Sequence, residues 1–398
     1  MGSVGSSGKT AGLSPLKKPN YRWLHSDRTP RSLGRHGPGI IASCKEEIDL
    51  RPEYPVLEGR YLHDILAQPQ ALSDTLSNLR VSPALNGLVR RLHQGRFQKI
   101  VLTGMGSSFH GLHPLNLKLL ENGLTSLLVE TSELVHDMRS LIGSRTLIIA
   151  VSQSGRSAEI VRLLQVNRKQ AAVIAVVNVA DSPLAQSADA TVLTCAGSEF
   201  SVSCKTYVSA LLALEWLGSI LTGRDPRPAQ QELTPAAPAV SGFLDGWKDH
   251  VGALVKSLQG IRHLFLVGRG KSLAAVGTGA LIIKESNHFH AEGMSCAAFR
   301  HGPFEMIGPE MFVLVFAGSA KTRELNRRMR EDVTKGRGQA EWVGEDAKMK
   351  PFRLPAVSPG LLPILEILAP QMITLALAVH ADREPGRFEL ASKVTVTE

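Results

Sequence analysis

Two short segments place hydroxyl side chains and glycines directly after apolar runs. Thr103-Gly104-Met105-Gly106-Ser107-Ser108 follows Ile100-Val101-Leu102, and Ser152-Gln153-Ser154-Gly155-Arg156-Ser157 follows the run 146–151. Each reads as a strand, a tight turn and the start of a helix. Glycine lets the backbone approach a ligand closely, and a helix start offers N–H groups carrying about half a positive charge. A hydrogen bond to a charged group is worth about 1.5–3 kcal/mol, so four or five together hold a phosphate without a lysine. Gly106, Ser107, Ser108, Ser152, Gln153, Ser154 and Ser157 are therefore the candidate anion ligands. Serine and glycine also dominate turns and caps for structural reasons. What favours binding is that two such segments follow buried runs in one domain.

A third segment, 279–303, gathers Lys284, Glu285, His288, His290, Glu292, Arg300 and His301. Glu285 ends an apolar helical stretch, where a carboxylate can act as general base, and a histidine near pKa 6.5 can relay a ring-opening proton. His288 and His290 are two residues apart, which suits neither one helix face nor a zinc helix, so no metal and no cofactor is expected. Lys393, near the chain end, reads as an electrostatic clamp or an amine nucleophile, against the plain alternative of a last strand or frayed tail. Ser3-Val4-Gly5-Ser6-Ser7-Gly8-Lys9-Thr10 falls one glycine short of a phosphate-binding P-loop, and no strand precedes it to aim its amides.

The elements that must position these residues follow a repeated pattern. Runs 100–103, 124–131, 146–151 and 173–179 are short and mostly apolar, with Glu130 near the end of the second as the one charge among them, as strands buried on both faces should be. Helical spacing separates them and recurs over 61–79 and 205–221. The pattern restarts with a strand at 263–267, a helix at 272–286, a strand at 311–316 and a late helix at 371–380. This predicts an α/β protein of two doubly wound parallel-sheet domains in tandem, each a three-layer αβα sandwich. The expected divisions are a disordered basic tail (1–44), a helical lead-in (45–98), a first domain (99–222), a proline-bearing linker (223–240), a second domain carrying Glu285 and His301 (241–384) and a tail closing on the site (385–398).

The 398 residues carry a formal net charge of +9, but six of those charges lie within residues 1–44. The body is nearly balanced, which argues against a nucleic-acid partner. Cys44, Cys195, Cys204 and Cys296 form no CxxC pair, as suits a reduced, cytoplasmic setting, and no long uncharged apolar run predicts a membrane span.

In this order the motifs resemble the tandem sugar isomerase (SIS) domains of the glucosamine-6-phosphate synthase family and its stand-alone deaminases and isomerases. The likeness runs from about residue 61 to 398. It includes Ile65-Leu66-Ala67-Gln68-Pro69, both serine segments, Asn178 and Ala196-Gly197-Ser198-Glu199. Gly268-Arg269-Gly270, Lys284-Glu285, His290-Ala291-Glu292, Arg300-His301-Gly302-Pro303 and the tail complete it. The resemblance implies that the serine segments and Val202 bind a phosphorylated hexose or amino-hexose. It implies that Glu285 shuttles a proton between C1 and C2, with Lys393 at the site. His301 would assist ring opening from a neighbouring subunit of a homodimer.

Three departures qualify the likeness. Gly2 stands where the synthase's glutaminase cysteine would follow Met1, Ile282 replaces a lysine near the reacting sugar, and Lys393 is offset by one residue. In an extended tail that offset turns the side chain to the other face, which leaves a Schiff base at Lys393 open. The leading expectation is a glucosamine-6-phosphate deaminase/isomerase forming fructose 6-phosphate. A deglycase or isomerase of another phosphorylated hexose derivative, or a non-catalytic sugar-phosphate sensor, are the alternatives.

Overall fold

The computed structural model of the chain describes residues 54–390 and 392–395, with 2 and 397 as isolated positions. The expected basic tail, the near-miss P-loop, Cys44 and the first part of the helical lead-in lie outside the described residues.

The first half builds a five-stranded sheet from β1 (Lys99–Gly104), β2 (Ser126–Glu130), β3 (Thr146–Ser152), β4 (Ala172–Val177) and β5 (Ala190–Leu193). The order is β2-β1-β3-β4-β5 and every pairing is parallel. The second half repeats the scheme with β6 (His263–Gly268), β7 (Ala291–Ser295), β8 (Met311–Phe316) and β9 (Gln339–Val343), ordered β7-β6-β8-β9 and again all parallel. The chain is thus an α/β protein with two parallel sheets. β3, β4 and β8 are buried along their whole length, which is why their sequences are unbroken apolar runs. The helix Lys205–Leu221 has 15 of its 17 residues buried, and it packs against both the lead-in helix Gln68–Asn78 and β4. A helix apolar on every side belongs in such a core.

One sequence expectation changes. The stretch 223–240 forms the helices Pro226–Gln231 and Ala236–Leu244 rather than an irregular linker. Its prolines sit at helix starts or first turns, where the missing N–H is no loss. Asp225 caps the first helix by accepting from Arg227 N at 3.0 Å. Ala229, Leu233, Ala236 and Val240 are buried, so the segment is part of the core. The segment Leu362–Ala381 is apolar enough and long enough to cross a membrane, yet 89% of it is buried inside the fold. It is a core element of the second half.

One close approach sets how the two halves meet. The helix Leu273–Asn287 lies against the short helix Gly106–His110 that follows β1. A Cβ on Gly277 would stand 2.4 Å from His110 Nδ1 and 2.6 Å from its Cγ. Only a residue without a side chain lets the helix settle there. Leu281 and Glu285 lie four and eight residues further on, so they share the stripe of Gly277 and face the β1 turn. Gly277→Ala should therefore cost about 1–3 kcal/mol through overpacking against the half-buried His110. Urea denaturation measures this; an unchanged midpoint would show that the helices tolerate more separation than the contact implies.

Candidate active site

β1 and β3 are neighbours whose following chains depart in opposite directions, toward β2 and toward β4. Ligands of open α/β sheets settle at the carboxyl ends of strands at such a switch point. Both serine segments end here. Gly104 is where they crowd together: a Cβ on it would sit 3.0 Å from Val151 O and 3.2 Å from Phe109 N. Ser152 Oγ accepts from Gly155 N at 3.1 Å, and Ser154 Oγ accepts from Arg156 N at 3.2 Å. Each hydroxyl thereby braces the turn and keeps its own O–H free to donate outward. Gly155 has φ +61°, and a Cβ there would stand 2.3 Å from Ser182 Oγ, so the turn closes only on glycine. Ser157 is the N-cap residue of the helix Ala158–Asn167 but makes no side-chain capping bond, leaving its hydroxyl available.

These residues surround one cavity of about 290 Å³. Gly106, Ser107, Ser108, Ser152, Gln153, Ser154 and Ser157 all line it, together with Glu285 and Lys393. A second compartment of about 640 Å³ adjoins it, sharing Ser203, Glu285, Lys393 and Thr395 and continuing past Lys284, His288 and His290. Glu285 stands at the waist between the two.

Burial pushes the Glu285 carboxyl up to about 7, against the opposing pull of Lys393 and Lys284. A carboxyl poised near neutrality both takes and returns a proton, as a general acid–base must. Lys393 Nζ faces Glu199 and the carbonyl of Ser201. Glu199 is fully buried and also accepts from Cys204 N and Thr206 N at 3.0 Å and from Thr206 Oγ1 at 2.6 Å. Three donors thus fix the carboxylate that receives Lys393. The tail is tied at two further points: Ser201 Oγ donates to Gly386 O at 2.7 Å, and Ala158 N donates to Thr395 O at 3.1 Å.

Two predicted residues are not in the cavity. Val202 turns its side chain into the core, 1% exposed, and its neighbour Ser203 lines both compartments instead. His301 is exposed at the end of the helix Cys296–Arg300 and lines neither compartment of its own chain. Ile282 is fully buried, and Leu281 beside it faces the cavity. Sequence reasoning missed Ser203 and Glu159. Glu159 lines the cavity, is 8% exposed and leaves Oε2 without a hydrogen-bond partner. Its only signal was its place in the first turn of a helix that starts at the serine segment.

The chain matches the SIS domain family over residues 96–219 and 257–340, more than half of its length. It belongs to the SIS domain family. Among curated proteins it is similar to glutamine–fructose-6-phosphate aminotransferase [isomerizing] of Pyrococcus horikoshii, at 30% identity over 84% of this chain and 57% of that protein. The Thermococcus kodakarensis protein of the same name is 28% identical over 84% of this chain and 58% of its own length. The chain therefore spans a little over half the length of these relatives. Among solved structures, the C-terminal domain of glucosamine-fructose-6-phosphate aminotransferase from Francisella tularensis superposes with a TM-score of 0.72 at 20% identity, covering 81% of this chain and 97% of that one. Glucosamine-6-phosphate deaminase from Thermotoga maritima gives 0.69 at 17% identity, over 85% and 100%. These two likenesses establish the fold.

The raised pKa of Glu285 has a consequence for stability. The folded chain keeps this proton where the unfolded chain, titrating near 4.5, has lost it. The stabilisation is complete below about 4.5 and is gone once the pH has risen through about 7. Glu285→Gln lacks the ionisation. Its stability relative to wild type should therefore increase between pH 5.5 and 8, read by urea denaturation at both pH values. An equal difference at the two would mean that the carboxyl titrates ordinarily.

Proposed function

We propose that the chain is a sugar-phosphate aldose–ketose isomerase that acts as a glucosamine-6-phosphate deaminase, forming fructose 6-phosphate and ammonia. The observation that carries this reading is the placement of Glu285, desolvated and titrating near 7, in the same cavity as seven neutral anion ligands. The phosphate is held by the hydroxyls and amides at the ends of β1 and β3. Glu285 removes the C2 proton of the open-chain amino sugar and returns it to C1. This leaves an iminium at C2, which water hydrolyses to the ketone with loss of ammonia. Lys393, already hydrogen-bonded within the cavity wall, acts as a clamp that keeps the tail over the ligand. His301, exposed on its own chain, assists ring opening in the site of a second copy, so the working form is a homodimer. The aminotransferase and deaminase names of the similar proteins support this chemistry.

A specific observation favours a second reading. The outer compartment is larger than a hexose phosphate needs, and Lys284, His288, His290, Phe289 and Phe388 line it. A sugar phosphate bearing an amine-linked substituent would place that substituent there, and the same proton shuttle would then release the amine.

The test is release of ammonia and ketose from glucosamine 6-phosphate, with NMR of exchange at C2 in D₂O. Glu285→Gln should lower the rate by about 10²–10⁴. Exchange without ammonia would replace deamination by plain isomerisation, and no turnover of any hexose phosphate or adduct would remove the catalytic reading. Mixing Glu285→Gln chains with His301→Ala chains should restore part of the activity, because some sites then pair an intact Glu285 with an intact His301. Mixtures no more active than their components would place His301 outside the reaction.

A further inference from the structure

A second cavity, of about 310 Å³, lies at the far end of the helix Ala158–Asn167. That helix is ten residues long, so about 15 Å separate this cavity from the serine cradle at its start. Arg139, Arg162 and Arg168 converge on it, with Gln165, Gln170 and the side of Ile142. No carboxylate lines it, and among the described residues none of the three guanidiniums forms an ion pair. Each guanidinium carries five N–H donors. Arg139 uses one on Val135 O, Arg162 uses one on Gln165 Oε1 at 3.2 Å, and among the described residues Arg168 makes no hydrogen bond through its side chain. Arg139, Arg162 and Arg168 are exposed, so three like charges border one open hollow with most of their donors facing solvent.

The backbone is shaped to put Arg168 there. Arg168 and Lys169 have φ of +43° and +61°, two consecutive left-handed residues that are not glycine. Such conformations persist only where the surroundings over-determine them, and they gather at functional sites. Here the brace is Asn167, 4% exposed, whose amide donates to Ala171 O at 3.0 Å and whose carbonyl accepts from Ala171 N at 2.9 Å. A buried side chain thus pins both ends of a three-residue loop that would otherwise relax.

We infer that this cavity is a second anion site, built to hold the phosphate of a small phosphorylated ligand. Planar guanidinium forks match phosphate oxygens two at a time, which a lysine cannot do. The volume accommodates a phosphate or diphosphate with part of its carrier, and the glutamine amides can hydrogen-bond that carrier. The site stands apart from the serine cradle and does not depend on the reaction proposed above.

Calorimetric titration of the full chain with inorganic pyrophosphate tests it. Two classes of site are expected, one at the serine cradle and one here. Arg162→Ala/Arg168→Ala should abolish one class, weakening it at least tenfold, and leave the other, while Ser154→Ala/Ser157→Ala should do the converse. Arg168→Gly guards against misfolding, since glycine adopts the left-handed conformation freely: its melting temperature should hold or rise while binding falls. Parallel titrations with inorganic phosphate and ADP separate the sources, tighter ADP binding indicating a carried phosphate and equal binding a free one. Isotherms of both arginine variants that superimpose on wild type would overturn the site.

Discussion

The absence of a side chain at Gly277 is the constraint from which the active-site geometry follows. Because His110 fills that space, the helix Leu273–Asn287 sits on the turn after β1 at one height and one rotation. Helical periodicity then carries Leu281 and Glu285 over the cavity that the serine turns line. Within the second half, Gly279 and Gly293 allow similarly close packing of the same helix, against Leu266 and Pro370 on one side and of β7 against the Val276 backbone on the other. The second half therefore delivers its carboxyl to a pocket whose hydroxyls and turn amides come from the first.

The charges divide the labour within that pocket. In the proposed reaction, anion binding falls to neutral hydroxyls and amides, which do not pull down the pKa of a neighbouring acid as an arginine would. Lys393 is the cation at hand, and its charge is matched by Glu199, itself held by backbone N–H groups and Thr206. What remains for Glu285 is mainly the loss of water, and desolvation is the largest influence on its proton. In the proposed function, a site that grips a dianion while keeping a carboxyl half protonated needs this separation.

The parts legible in the sequence were those fixed by local chemistry or by burial on both faces. β1, β3, β4, β6 and β8 announce themselves because neighbours and helices cover them completely. β5, β7 and β9 escaped notice because each is a sheet edge: β7 reads Ala-Glu-Gly-Met-Ser, half exposed, with no β-branched residue. Proline density over 223–240 suggested a linker, since composition does not say whether a proline breaks a helix or begins one. The serine segments could be read because turn glycine and hydroxyl lie side by side in the chain. Ser203 and Glu159 could not, because nothing local distinguishes a cavity-lining side chain from a cap. For Val202 only the neighbourhood was legible: in the bend before the helix Lys205–Leu221, Val202 is buried while Ser203 lines the cavity.

The pocket draws its ligand-holding and proton-moving parts from positions more than a hundred residues apart. At ribosomal rates of about 5–20 residues per second, on the order of ten seconds separates the emergence of Ser157 from that of Glu285. A nascent chain can therefore own a formed anion cradle before it owns any acid to act on what the cradle holds. Under the proposed function, reactivity therefore waits on the later lobe, which carries Glu285.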